Sequence, residues 1–213
     1  GAPANFASDK SFNQFTGKLG LEYRISDDTF SYLTFSQGYK AGTYDPFANA
    51  DIIARGLDEE LVDSLELGLK TELFNRTLRL NNALFVTRYK DLVIGTITGT
   101  GIENRNAGET EVKGLESELT WAATDRFRVY GSVALLDAKW RRLAPEALLT
   151  GVLLSDAPPF TYDFQGSVGV TYDVPLAAGT LRFAASGRYV DEYFQQVAHR
   201  NNPLDRVDSR SWL

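Results

Sequence analysis

Hydrophobic and polar residues alternate from Ser64 to Leu73. The odd positions of this segment are Leu, Leu, Leu, Thr and Leu, and the even positions are Ser, Glu, Gly, Lys and Glu. Because successive side chains of a strand point to opposite faces, the pattern predicts a strand with one apolar and one polar face. Its length matches the roughly 9 to 11 residues that a tilted strand needs to cross a membrane.

A helix is the competing interpretation of this segment. Three leucines spaced by four residues would share one helical face: Leu61, Leu65 and Leu69. However, Leu67 and Leu73 fit the apolar face of a strand and fall off that helical face. Gly68 would also destabilise a helix interior by about 1 kcal/mol. The segment is therefore predicted to be a strand.

Similar alternation recurs along the chain between short polar turns. It is clear at 160–172 and 181–189, and partial at 110–121. Two segments, 78–89 and 127–137, are apolar at both parities, which is expected of strands whose inner face is covered by another domain. The predicted turns lie at Ser26–Thr29, Asn75–Thr77, Ala122–Arg126 and Asp173–Gly179. Their spacing of roughly 50 residues indicates a repeat of one hairpin and one long loop.

The other connections are predicted to be long. They are Gln37–Leu61, Leu92–Glu109, Lys139–Pro159 and Glu192–Arg206. Alternating short turns and long loops are typical of transmembrane barrels, and such long loops are uncommon in compact soluble domains unless they carry function. Within the third loop, Pro145–Leu149 is predicted to form a short amphipathic helix on the rim of the barrel.

Composition excludes several classes of function. The 213 residues include 22 basic and 28 acidic side chains, and this net charge of −6 argues against nucleic-acid binding. The single histidine, His199, and the absence of cysteine leave a zinc or iron–sulfur centre without its usual ligands. The sequence contains no run of about 18 apolar residues, so no membrane-spanning helix is predicted. The start at Gly1, in a chain without methionine, indicates an internal fragment of a longer protein.

Four short motifs occur in a characteristic order: Ser36–Gly42, Leu65–Lys70, Asn106–Gly108 and Lys113–Glu116. In order and spacing they resemble the C-terminal part of the β-barrel of TonB-dependent outer-membrane receptors, over about residues 15–190. The positions that match the motifs of this family are Gly38, Tyr39, Glu66, Gly68, Lys70, Gly114 and Glu116.

The resemblance implies an all-β fold in a bacterial outer membrane. In this family a barrel of 22 strands is closed by an N-terminal plug, and energy reaches it through TonB. The chain would contribute an antiparallel up-and-down meander of about eight strands with the start of a ninth. Isolated, such a fragment is expected to form an open, curved sheet. The plug domain, the early strands and the last strands are expected to lie outside residues 1–213.

Candidate site residues fall into two groups. The first would face the lumen and contact the plug, with a merely solvated face as the alternative: Glu66, Lys70, Glu72, Glu116, Glu118, Arg182 and Arg188. The second lies in or beside the first long loop, where aromatic rings and cations suit an anionic, aryl-bearing chelate: Tyr39, Lys40, Tyr44, Phe47 and Arg55. Packing within the loop and an interfacial aromatic girdle are the alternative for this group.

Catalysis is not expected. The carboxylates of Glu116 and Glu118 lie two residues apart on one strand face, and no apolar pocket is evident that would raise the pKa of either. No cofactor or metal site is predicted.

The resulting hypothesis is an active-transport receptor that captures a scarce ligand, with a ferric siderophore as the expected one. Its partners would be outer-membrane lipid, the plug of the same parent chain, the TonB complex and the ferric chelate. Two alternatives stay open at this point. One is a passive, porin-like channel, and the other is a soluble all-β binding module.

Overall fold

The computed structural model describes residues 9–45, 56–98, 101–148, 151–197 and 206–212. Its strands are β1 (Lys18–Ser26), β2 (Thr29–Lys40), β3 (Glu60–Leu73), β4 (Leu78–Thr98), β5 (Gly101–Ala122), β6 (Phe127–Leu143), β7 (Phe164–Leu176), β8 (Gly179–Val190), β9 (Tyr193–Phe194), β10 (Arg206–Val207) and β11 (Arg210–Trp212). One four-residue helix, α1 (Pro145–Leu148), follows β6.

Nine of these strands form one antiparallel sheet in the order β1 to β8 followed by β11, and β9 pairs with β10 in a separate two-stranded sheet. Each strand from β1 to β8 is paired with its neighbour in sequence, so the sheet is an up-and-down meander. The strand prediction for Ser64–Leu73 is confirmed, because β3 covers the whole segment. The predicted meander of eight strands with the start of a ninth is also confirmed.

The predicted long connection at Leu92–Glu109 is wrong. β4 continues to Thr98 and β5 begins at Gly101, and the two strands stay paired from Leu92 opposite Gly108 to Thr98 opposite Gly101. In this part of the hairpin Leu92, Val93 and Ile94 are consecutive apolar residues of β4, and 103–106 are consecutive polar residues of β5. Neither run alternates, which removes the period-two signal on which a strand prediction depends. The predicted turn Asp173–Gly179 is likewise shorter, because β7 continues to Leu176.

The register assigns every side chain of the sheet to one of two faces, since direct cross-strand partners lie on the same face. One face carries a continuous row of leucines, one from each of five neighbouring strands, which we call the leucine row: Leu33, Leu67, Leu84, Leu115 and Leu135. Leu67 is 49% exposed and Leu84 54% exposed, so no other described part of the chain covers this apolar face.

A small hydrophobic cluster lies at the end of the sheet where the long connections emerge. Residues of β4, β5 and β6 meet there with residues of α1 and of the loops that follow β6 and β8. The members of the cluster are Ile94, Ala107, Trp140, Ala147, Val152 and Val197. Ala147 is fully buried there and belongs to α1, which packs against β5. The predicted short helix is thus confirmed over Pro145–Leu148. No helix in the described part of the chain has the length and apolarity that crossing a membrane requires.

Candidate functional site

The seven residues predicted to face the lumen all lie on the face opposite the leucine row. Glu66 is opposite Thr34 on β2, Glu116 is opposite Ala134 on β6, and the same parity continues through β7 to Arg188 on β8. We call this the polar face. It also carries Lys70, Glu72, Glu118 and Arg182. Contact of these residues with a plug stays a prediction.

Tyr32, Glu66 and Lys70 form a contact group in the middle of this face. The Tyr32 hydroxyl donates a hydrogen bond of 2.7 Å to Glu66 Oε1. Lys70 Nζ lies 5.6 Å from the centre of the Tyr32 ring, within the range of a cation–π interaction. The ring is therefore held from two sides by side chains of β3.

The position of the Tyr32 ring explains the glycine that follows Leu67. Tyr32 lies directly opposite Gly68, and a Cβ atom at Gly68 would be only 2.0 Å from the ring. The same arrangement occurs at Gly114 opposite Phe85, where that distance is 2.4 Å. It occurs a third time, at Gly169 opposite Tyr130. Two motif positions, Gly68 and Gly114, thus lack a side chain because an aromatic ring from the preceding strand covers the backbone.

The short-turn end of the polar face is held by one ion pair within the β3–β4 hairpin and one between this hairpin and the preceding one. Arg79 Nη2 lies 2.6 Å from Glu72 Oε1, and Arg76 Nε lies 2.9 Å from Asp28 Oδ1 in the turn between β1 and β2. The hydrogen bond and charge of Asp28, followed by the charge of Glu72, raise the pKa of the Arg76 guanidinium. Because these side chains are solvent-exposed, the pairs fix turn geometry more than they add stability.

The third motif, Asn106–Gly108, anchors the loop that precedes β3. Asn106 Oδ1 accepts a 2.9 Å hydrogen bond from the Asp58 amide, and Asn106 Nδ2 donates one of 2.8 Å to the Asp91 carbonyl. Gly108 has φ +135°, and a Cβ there would be 2.1 Å from the Arg142 carbonyl oxygen. Each residue of this motif therefore has a structural role, since Ala107 is fully buried between them.

Arg142 lies beside this loop at the outer end of β6, beyond the leucine row. Its Nε atom donates a 3.0 Å hydrogen bond to Glu109 Oε1, and its Nη2 atom lies 3.6 Å from Asp91 Oδ1. The hydrogen bond from Arg142 to Glu109 is the main reason that the pKa of Arg142 is raised. The arginine thus stays charged and joins β4, β5 and β6.

The loop candidates do not converge on one site in the described residues. Tyr39 is opposite Leu61 on the apolar face, whereas Lys40 points to the polar face and lies 2.7 Å from Glu60 Oε1. The Tyr44 ring packs against Gly56. Phe47 and Arg55 lie outside the described residues, as does His199. Ligand binding by the five candidates stays a prediction.

A cleft at the long-connection end of the polar face was not predicted from the sequence. It has a volume of about 330 Å³, and its lining includes four aromatic rings, two arginines and two aspartates. Asp191 accepts a hydrogen bond from the Tyr189 hydroxyl, and Asp208 pairs with Arg206. We call it the aromatic–arginine cleft and define it by Phe160, Tyr162, Arg188, Tyr193, Arg210 and Trp212. These residues come from four separated segments of the chain, so the sequence did not indicate that they meet. Only Arg188 was among the predicted site residues, because of its place on the polar face.

The two arginines of the cleft are available to a ligand. Arg188 Nη2 donates a 2.9 Å hydrogen bond to Gln165, and its guanidinium carbon lies 5.9 Å from the centre of the Trp212 ring. Both arginines are exposed, and within the described residues neither of them pairs with the two aspartates of the lining, Asp191 and Asp208. Exposed arginines beside aromatic rings can bind an anionic group through charge-assisted hydrogen bonds while its aryl part stacks on the rings.

The chain as a whole matches one known protein family. The family model described as TonB dependent receptor-like, beta-barrel, matches residues 1–212. The chain belongs to this family. TonB-dependent receptor barrels lie in the outer membrane of Gram-negative bacteria, and the family consists of transport receptors. The alternative of a soluble binding module is therefore wrong.

Individual TonB-dependent receptors resemble the chain over part of their length. The probable TonB-dependent receptor BfrD of Bordetella pertussis is 27% identical over 172 residues, which are 79% of this chain and 23% of BfrD. The pesticin receptor of Yersinia enterocolitica is 30% identical over 122 residues, which are 57% of this chain and 18% of that receptor.

Solved structures of the family share the fold. The ferric yersiniabactin uptake receptor FyuA from Yersinia pestis matches with a TM-score of 0.73 at 19% sequence identity, over 92% of this chain and 28% of FyuA. The chain thus spans less than a third of each of these proteins. In a TonB-dependent receptor barrel, the apolar face of the sheet contacts lipid and the polar face lines the interior.

Proposed function

We propose that the chain is the C-terminal barrel part of a longer receptor that captures a scarce ligand on its extracellular side and imports it through a plug-gated barrel powered through TonB. A ferric siderophore is the proposed ligand. The plug of the same parent chain would dock on the polar face, at side chains such as Glu66, Lys70 and Glu116. The receptor would act by capture and passage, without catalysing a reaction.

The names of related proteins support this assignment of ligand class. FyuA is a ferric yersiniabactin uptake receptor, and another structure of the same fold, with a TM-score of 0.69, is the ferric-catecholate import receptor Fiu. A further relative, 27% identical over 139 residues, is the ferric-pyoverdine 358 receptor of Pseudomonas putida. These names describe those proteins, and the ligand of this chain is inferred from them together with its own cleft.

The aromatic–arginine cleft is the observation that carries the proposal. It opens on the face that would line the interior of the barrel, at the end where the long connections emerge. Since short turns face the periplasm in such barrels, this end is the extracellular one. A ligand arriving from outside would meet the cleft before it reached the plug. The two arginines would bind its negative charge and the four rings its aryl groups.

The test uses the full-length receptor gene in a deletion strain grown under iron limitation. Ferric catecholate, phenolate, hydroxamate and carboxylate chelates are supplied one at a time as the iron source. We expect growth on at least one aryl-bearing chelate to depend on the gene. We also expect Arg188→Gln/Arg210→Gln to raise the chelate concentration needed for half-maximal growth by roughly tenfold or more, because two charge-assisted hydrogen bonds are lost.

Arg128→Gln is the control for this test, because Arg128 lies on the same face at the opposite, short-turn end of β6. It should leave growth unchanged. If deletion of the gene changes growth on none of the chelates, siderophore import is contradicted. If the gene is required but the double variant grows like the wild type, transport stands and the cleft is not the capture site.

A further inference from the structure

Charged residues continue the apolar face on the extracellular side of the leucine row. Lys113 lies one position above Leu115 on this face, between Val86 and Asp137 on the neighbouring strands. The next position joins Asp63, Arg88, Glu111 and Lys139 across four strands. We call the five cations of this region the cationic belt: Arg88, Lys90, Lys113, Lys139 and Arg141.

The cationic belt carries an excess of positive charge that the whole chain lacks. Three carboxylates lie among the five cations, those of Asp63, Glu111 and Asp137. Five positive and three negative side chains leave two positive charges, although the net charge of the chain is −6. This local excess of positive charge depends on which residues lie side by side in the sheet, so it cannot be predicted from the composition of the chain.

Glu111 organises the belt without neutralising it. Its side chain is only 3% exposed and contacts Arg88 at 2.7 Å, Lys113 at 3.3 Å and also Arg141. One carboxylate thus holds three cations together, while half or more of each of those side chains stays exposed. Because these side chains are half or more exposed, the N–H groups that Glu111 does not engage are accessible to a further anion.

An apolar groove lies next to the belt, on its short-turn side. Its volume is about 620 Å³, and it runs between side chains of the leucine row and reaches Lys113 and Asp137. Leu33, Leu67, Leu84 and Leu135 line it together with Leu65 and Val86. A ligand that fits both parts needs an elongated apolar tail and an anionic head. A membrane lipid has this chemistry.

We propose that the cationic belt binds the phosphate-bearing headgroups of lipids in the outer leaflet, with one acyl chain in the groove below. In a barrel of this family the leucine row faces hydrocarbon, and each position along a strand face adds about 6.8 Å of strand length. Charged side chains replace the leucines one to two positions above the row, which is about 7 to 14 Å of strand length. We therefore place the belt at the level of the lipid headgroups. Lysine ammonium groups and arginine forks are the side chains that bind phosphate most effectively.

The inference depends on membership of the family and is independent of the proposed siderophore. The test uses the full-length receptor in detergent, titrated with phosphatidic acid or with phosphatidylcholine of the same acyl chains, and native mass spectrometry measures lipid retention. We expect phosphatidic acid to be retained preferentially. We expect Lys90→Gln/Lys139→Gln to weaken its binding roughly tenfold or more, because each lysine near an anionic headgroup contributes to attraction.

These two lysines can be changed without leaving a buried charge unpaired. Their partners are Asp63 and Asp137, which are 27% and 54% exposed. Lys90→Arg/Lys139→Arg should retain binding. The matched control is Lys18→Gln/Arg24→Gln, which removes two positive charges from the polar face of β1. If the double variant of the belt fails to fold, Lys139→Gln alone should weaken binding in the same direction.

Three results would overturn the proposal. Equal retention of the two lipids would show that the headgroup is not recognised. An equal loss in the β1 control would show a non-specific effect of net charge. Binding of inorganic phosphate alone, with displacement of phosphatidic acid at similar concentration, would assign the belt to free anions rather than to lipid.

Discussion

Replacement of Leu67 by arginine is expected to lower the free energy of unfolding of the barrel by about 2 to 4 kcal/mol. Leu67 lies near the middle of the apolar stretch of β3 and is 49% exposed on the apolar face. A guanidinium at that depth would be transferred into hydrocarbon without an acidic partner. The change is measured by denaturant titration of the full-length receptor in phosphatidylcholine vesicles, with tryptophan fluorescence as the signal.

The matched control places the same charge at the same depth on the other face. Leu33 is the cross-strand partner of Leu67, and the next residue, Thr34, is opposite Glu66 on the polar face. Thr34→Arg should change the unfolding free energy by about 0.5 kcal/mol or less, as is usual for an exposed substitution. An equal loss in both variants would contradict the assignment of lipid and interior faces.

The alternation in β3 was sufficient to predict these two faces from the sequence. Membrane strands alternate most clearly when the lipid side is apolar and the other side is polar. Between Leu65 and Leu73 this pattern has one exception on the apolar side, Thr71. The four short turns also followed from polar residues at regular spacing. Register, by contrast, requires the pairing of strands, and it is what places Glu66 and Arg188 on one face across six strands.

In the two strands with apolar residues at both parities, two aromatic rings have a local explanation, while cover of the inner face by another domain stays a prediction. Phe85 on β4 and Tyr130 on β6 lie on the polar face because each covers a glycine of the next strand. Their hydrophobicity is therefore explained locally, and no covering domain is required to account for these two rings. A pattern within one strand contains no information about which residue lies opposite, so the distinction was not available from the sequence.

The extended hairpin of β4 and β5 was missed for a related reason. In the extended part of β5, polar residues follow one another from Glu103 to Asn106, so the segment shows no alternation. The cationic belt was missed because its residues are distributed over three strands. The aromatic–arginine cleft was missed because β11 brings Trp212 to Arg188 only through long-range pairing. Sequence periodicity thus predicted the membrane-crossing part of the molecule better than its extracellular part.

Gly68→Ala is expected to destabilise the barrel by about 1 to 3 kcal/mol, the usual cost of overpacking. This expected loss of stability is opposite to the usual effect, because alanine normally stabilises a strand interior relative to glycine by about 0.5 to 1 kcal/mol. At Gly68 the added Cβ would lie 2.0 Å from the Tyr32 ring. The ring would have to leave this position, and its 2.7 Å hydrogen bond to Glu66 and its contact with Lys70 would be lost. Denaturant titration in vesicles measures the change.

Gly20→Ala provides the comparison on the same face. The nearest atom to a Cβ at Gly20 is Thr34 Oγ1 at 3.8 Å, so this variant should be neutral or more stable than the wild type. The cause is then isolated by combining Gly68→Ala with Tyr32→Ala. Since the clash disappears with the ring, the double variant should lose less stability than the sum of the two single losses. Strict additivity would mean that Gly68 is required for a reason other than the ring of Tyr32.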